Sequence, residues 1–313
     1  MTAYVARRLL AGLVLVLAVS VVSFALMYLS GADIARHILG DNASNEQVHA
    51  KAVELGLDRP LPSRYGTWLN AALHGDLGLS WTSGETVTSA LQTRAQVTLS
   101  LVAGATVVSA LLSVALGVTA AVRGGWLDRA LQAVSLLGIA LPGFLIALFL
   151  VSAFALHLHW FPATGYTQPS DSVGDWLRSI ALPIAALSVG ATVNLTQQIR
   201  GAVLDGLGQE WVRTLRARGL PFRRIVLRHV LRGAAGPALS VLGLQFIGLI
   251  GGTVVIEQVY AIPGIGQLAV GASVQGDIPL VMGLVVATGI LVVLVNLAVD
   301  VAQYALNPKV RLS

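Results

Sequence analysis

Six stretches of the chain contain no Asp, Glu, Lys or Arg and are each long enough to cross a bilayer. They are Leu9–Ala32, Gln96–Val122, Ala130 to about Leu156, Ser179–Ile199, Gly233–Ile256 and Ile278–Val299. A span needs about 20 predominantly apolar residues. Peptide groups in lipid find no water to bond, so each run is predicted to be a helix. The pattern predicts an all-α, polytopic membrane protein with six transmembrane helices. Arg7 and Arg8 precede the first run as in a signal peptide. Its apolar core exceeds the usual 7–15 residues, however, and no clear A-x-A site follows, so it is read as an uncleaved span.

Between the first two spans lies the only sizeable polar stretch, Asp33–Ala95. Its "SNEQVHAKAVELGLDRPLPSRYGTWLNAALHGDLG" predicts two short helices broken by Pro60 and Pro62, with Ser44 or Asn45 capping the first. The segment from His157 to Arg178 contains "HWFPATGYTQPSDS", dense in turn-formers. Pro142 and Pro183 fall inside spans, where packing neighbours can satisfy the freed carbonyls. Pro237 and Pro279 fall near span starts, where a missing N–H costs nothing. No internal repeat or low-complexity tract is visible.

Composition agrees with this class. Only 11% of residues are charged and 55% are hydrophobic, against roughly 25% charged in a soluble domain; mean hydropathy is +0.77. There are no cysteines, hence neither disulfides nor thiolate metal sites. The net charge of +5 would suit a nucleic-acid binder, but its placement does not. Arg7, Arg8, Arg123, Arg129, the eight arginines from Arg200 to Arg232, Lys309 and Arg311 all fall on one side of the six spans, while the two short loops opposite hold only Arg178. By the positive-inside rule both termini are expected in the cytoplasm.

The arginines concentrate in "GQEWVRTLRARGLPFRRIVLRHVLRGAAGP", Gly208–Pro237. Glu210 to Arg218 lacks Gly and Pro and predicts a short helix, closed by Gly219 and Pro221. A second helix is expected from about Pro221, with Arg224, Arg228 and Arg232 on one face and Val226 and Val230 roughly opposite, ending at the Gly-Ala-Ala-Gly-Pro run. Topology setting and contact with anionic lipid headgroups account for some basic residues. They do not account for the Glu-Trp start, the Gly-Leu-Pro turn or the return helix. Interleaved aromatics and a nucleic-acid module are both missing.

This stretch resembles the cytoplasmic "EAA" loop of binding-protein-dependent ABC importer permeases of the dipeptide/oligopeptide/nickel branch. Glu210, Val212, Arg213, Thr214, Arg216, Ala217, Gly219, Leu220, His229, Leu231 and Arg232 match, while Trp211, Leu215 and Arg218 replace the usual residues. "LGLDRPLPSRYGTWL", "HGDLGLS", "WFPATGY", "IEQVYAIPGIGQL", "DIPLV" and "VNLAVDVAQYALNPKVR" resemble other parts of the branch in order, and "SGADIA" departs from its usual Pro-Gly-Asp-Pro.

The resemblance implies an ABC type I importer transmembrane domain that moves peptides by alternating access, with nickel or another small solute as the alternative cargo. It implies a first helix with an extracytoplasmic segment (1–95), a five-helix core (96–306) carrying a coupling loop (200–232), and a cytoplasmic tail (307–313). The implied partners are a second homologous permease, two ABC ATPases, an extracytoplasmic substrate-binding protein and membrane lipids. Glu210, Trp211, Arg213, Thr214, Arg216 and Gly219 are the residues expected to meet an ATPase. The chain's two lysines, Lys51 and Lys309, do not sit in a G-x-x-x-x-G-K-[ST] loop, so nucleotide hydrolysis is expected elsewhere and no cofactor or catalytic residue is assigned.

Gln245 and Asn296 lie within spans and are candidates for the translocation path or for helix packing, with packing favoured. His157 and His159 diverge at i, i+2 spacing on a helix, so no metal site is assigned, and Gly248 and Gly252 give only a weak G-x-x-x-G signal. A secondary transporter would need inverted repeats and midplane charges. An intramembrane serine protease would need a histidine within a span. The sequence has neither set.

Overall fold

The computed structural model describes residues 2–29, 34–40 and 42–306. They form helices α1 (Thr2–Leu29), α2 (Ile34–Leu39), α3 (Asn45–Glu54), α4 (Leu61–Leu73), α5 (Val87–Arg123), α6 (Gly125–Ala140), α7 (Gly143–Leu150), α8 (Val173–Leu207), α9 (Glu210–Ala217), α10 (Phe222–Arg224), α11 (Leu231–Val259), α12 (Ile265–Gln275) and α13 (Ile278–Leu306). Two π-helical turns, Val151–His157 and Ile225–Val230, continue α7 and join α10 to α11. The only β pairing among the described residues is a single bridge between Leu79 and Thr86. The predicted start of the cytoplasmic tail lies outside the described residues.

Among the described residues five helices are long and apolar enough to cross a membrane, and a bent pair makes a sixth if counted as one span. That pair corrects the third predicted span, Ala130 to about Leu156. The run divides into α6 and α7 at Leu141–Pro142, bent by more than 40°. Leu141 is extended, with φ −85° and ψ 121°, as steric conflict with a following proline ring favours. Pro183 and Pro237, in contrast, lie inside α8 and α11. The expectation that the Gly-Ala-Ala-Gly-Pro run ends a helix is therefore wrong. One continuous helix runs over Phe222–Val259 with Pro237 in its interior. Residues 200–207 belong to α8, and the non-spanning part is the elbow 208–221.

The chain divides into two compact units, residues 1–98 with 263–294, and residues 99–262 with 295–313. In the first, the polar segment folds as predicted into short helices. Ser44 caps α3 in a capping box with Gln47, and Pro60 and Pro62 open α4 rather than break it. Phe24, Ile34, Ile278 and Met282 pack with Tyr65, Trp68 and Trp81, and Ser20 on α1 hydrogen-bonds the Tyr65 hydroxyl at 2.8 Å. Asp277, fully buried, takes hydrogen bonds from the Ser80 hydroxyl (2.5 Å), the Thr82 hydroxyl (2.9 Å) and the Leu280 amide (3.2 Å), so it both caps α13 and pins the turn 80–85. Helix α12 was not anticipated, because its 11 residues are too short and too evenly apolar to stand out.

In the second unit α8 is central, packing against α6, α7 and α11. Ser172 caps it by accepting from the Asp175 amide at 3.3 Å. Helices α5 and α8 approach closely at Gly117, where a Cβ would stand 2.9 Å from the Thr196 carbonyl oxygen. Backbone cannot yield there as a side chain could, so the crossing requires glycine.

Candidate functional site

The site grows from the elbow between α8 and α11. Gln209, extended at φ −71° and ψ 146°, starts α9; Glu210 stands in its first turn and Arg216 in its last, each complementing the helix dipole. The C-terminus closes in a Schellman arrangement. The Leu220 amide donates to the Leu215 carbonyl at 3.2 Å, and the Gly219 amide to the Arg216 carbonyl at 2.9 Å. That arrangement needs a left-handed residue at Gly219, whose φ is +79°, and no atom stands within 4 Å of a Cβ there. Substitution is therefore opposed by the backbone conformation alone. Pro221 then sets the entry to α10, and the Arg216 guanidinium lies 4.8 Å from the Phe222 ring centre, a cation–π contact across the turn.

Burial fixes the elbow to its unit. Val212 points inward at 1% exposure and joins Leu195, Ile199, Val203, Ile225 and Val230 in one apolar cluster, flanked by Leu215 and Leu220. The helix spacing that turns Val212 and Leu215 inward turns the other positions out. Glu210, Trp211, Arg213, Thr214, Arg216 and Gly219 are all exposed. The sequence-predicted contact residues are thus gathered on one outward surface. Arg213, Arg216, Arg218, Arg223, Arg224, Arg228 and Arg232 are exposed as well, and none is in an ion pair among the described residues. The face is strongly positive and unneutralised, with Trp211 as its large apolar contact. Val226 and Val230 face inward from the π turn, as predicted opposite Arg224, Arg228 and Arg232.

Arg200 does more than the predicted topology setting. Its guanidinium grips the Asp128 carboxylate through two bonds, of 2.5 Å and 2.6 Å, while the Gln132 amide donates to the same carboxylate at 3.0 Å. This fork ties α6 to α8. No local signal announced it, since the partners are 72 residues apart.

Of the two intramembrane amides, Gln245 donates to the Ala191 carbonyl at 2.8 Å, joining α11 to α8. That is a packing contact. Half-buried Asn296 on α13 has no hydrogen-bond partner among the described residues. Neither amide hydrogen-bonds a residue of the elbow among the described residues. Gly248 has no near neighbour and Gly252 only an ordinary contact with Leu187, so the G-x-x-x-G makes no close helix crossing among the described residues. His157 and His159 direct their Nδ1 atoms at nearby carbonyls.

Comparison with known proteins gives consistent results. Residues 113–312 match the family described as binding-protein-dependent transport system inner membrane component, and residues 1–102 match the N-terminal membrane component of the same systems. A putative peptide transport system permease protein of Brucella abortus (strain 2308) is 37% identical over 99% of both chains. A probable peptide ABC transporter permease protein of Sinorhizobium fredii is 35% identical, covering 99% of this chain and all of the other. The glutathione transport system permease protein GsiC of Shigella flexneri is 33% identical over 98% of both. Among solved structures, an inward-facing MetNI methionine ABC transporter chain superposes with a TM-score of 0.57 at 19% identity, covering 70% of this chain and 97% of that one.

Proposed function

We propose that this chain, which belongs to the family of binding-protein-dependent transport system inner membrane components, forms one membrane-spanning half of an ATP-driven importer for peptides. The peptide cargo is supported by relatives similar along nearly their whole length that are named for peptide transport. The other half is a homologous permease. Two ABC ATPases supply the energy and an extracytoplasmic binding protein delivers the solute. The lack of a phosphate-cradling loop around either lysine supports placing hydrolysis on those ATPases. The arginine asymmetry supports a cytoplasmic elbow and cytoplasmic termini in the inner membrane. On this reading 1–95 is the first span with its extracytoplasmic segment, 96–306 the translocating core and 307–313 a cytoplasmic tail.

The observation that carries the proposal is a short helix nailed to its unit by Val212 while Trp211 and its arginines stay exposed. We assign that face, with Glu210, Trp211, Arg213, Thr214, Arg216 and Gly219, as the seat of an ATPase subunit. Closure of the ATPases would push α9, and the attached spans would pass from one access state to the other. Gln245 is assigned to helix packing.

The test is Gly219→Val in the assembled importer. A β-branched residue in the left-handed region costs about 1–3 kcal/mol, which should unwind the end of α9. Membrane insertion should be normal, ATP hydrolysis should persist, and solute uptake per ATP should fall at least tenfold in proteoliposomes. Undiminished uptake would refute the assignment.

A further inference from the structure

The first unit contains a cleft of about 320 Å³ that the elbow mechanism leaves unexplained. The turn 80–85, the first turns of α5 and one side of α12 form its walls, and Ser83, Glu85, Arg94, Gln267 and Gln275 give it polar character. Its size is that of small-molecule sites, roughly 300–1,000 Å³. The walls are held from behind by buried bonds. Asp277 pins the turn through Ser80 and Thr82, and the Thr98 hydroxyl accepts from the Ile265 amide at 2.8 Å, fixing the start of α12. A polar cleft with such walls is preorganised, so a ligand would not have to order it.

Charge indicates the occupant. Arg94 is half-buried and Glu85 exposed at the same cleft, yet neither forms an ion pair among the described residues. A guanidinium partly withdrawn from water favours a carboxylate partner, which it can grip through two parallel bonds. A carboxylate at the other wall favours an ammonium. We propose that this cleft binds a zwitterionic solute, a short peptide with free termini. Its carboxylate lies on Arg94 and its ammonium on Glu85. The site rests on the peptide reading above and deepens it. It lies on the segment assigned outside the membrane, where a solute leaving the binding protein would first meet this chain.

The native chain lacks cysteine, so Gln275→Cys creates a single thiol reporter at the exposed rim. In the complete importer in nanodiscs, maleimide labelling of that position would be timed with alanyl-alanine, its N-acetyl derivative or its C-terminal amide. Alanyl-alanine should slow labelling at least tenfold, and the two blocked forms should not. Adding Arg94→Gln or Glu85→Gln should abolish the protection, whereas Arg94→Lys should retain part of it. Equal labelling rates before peptide is added would show that the cleft is intact in each variant. No protection by alanyl-alanine, or equal protection by all three compounds, would overturn the proposal. Vesicle uptake with the binding protein separates the two readings. Peptide uptake without protection sinks the cleft alone. Protection without peptide uptake sinks the peptide cargo and leaves a zwitterion site.

Discussion

Val212 is 1% exposed, while its neighbours Trp211 and Arg213 stand in the open. Its isopropyl group lies in the same cluster as Val203 and Ile225, so the position of the outward face depends on an inward side chain. Val212→Ala removes two buried methyl groups and should cost roughly 2 kcal/mol in lost burial and residual cavity. Amide exchange over Glu210–Ala217 should quicken about tenfold or more, with membrane insertion unchanged; unaltered exchange would mean that α9 is held by something else. Trp211→Ala should do the reverse, leaving exchange alone and weakening ATPase association. The sequence made Val212 legible as a motif position but not as an anchor. Its burial is decided by residues of α8 and of the π turn that no local pattern connects to it. The outward residues were legible for the opposite reason, since helical spacing alone places Glu210, Arg213 and Thr214 on one side.

At the level of elements, apolar runs predicted where helices lie better than where they stop. Pro142 ends a helix and Pro237 does not, although both follow mostly apolar residues. Leu141 is extended before the first, whereas the backbone stays helical through the second. Arg200 and Asp128 join two elements through a fork that remains only 23% and 15% exposed at the side chains. Arg200→Lys cannot reproduce two parallel bonds. Uptake and thermal stability of the purified protein should both fall, and Asp128→Asn should add little to Arg200→Met because the interaction is already gone. Additive losses would show that the fork contributes nothing. Asp277 is a sharper case. Asp277→Ala would leave the Ser80 and Thr82 hydroxyls and the Leu280 amide without their acceptor, costing about 1–3 kcal/mol per stranded group. The turn 80–85 should become a preferred protease site; resistance equal to that of the native protein would refute its role as a clamp. The sequence displayed Asp277 only as one acid before a span, because Ser80 and Thr82 lie 197 and 195 residues away.

At the scale of the whole molecule, much apolar surface stays uncovered by the chain. Leu9, Leu10, Leu13 and Val14 on α1 and Leu111 on α5 are exposed, as side chains facing lipid or a companion subunit must be. The continuous helix over Phe222–Val259 gives the elbow a mechanical property that a hinged connection would lack. Its 38 residues span about 57 Å at 1.5 Å per residue. On the reading proposed above, it would act as a lever arm rooted beside the assigned ATPase seat. Treated as straight, a tilt of only ~5° about one end would sweep the other through about 5 Å, close to one helical turn. On the same reading, a small nucleotide-driven shift at the elbow would in this way be geared up toward the far side of the membrane.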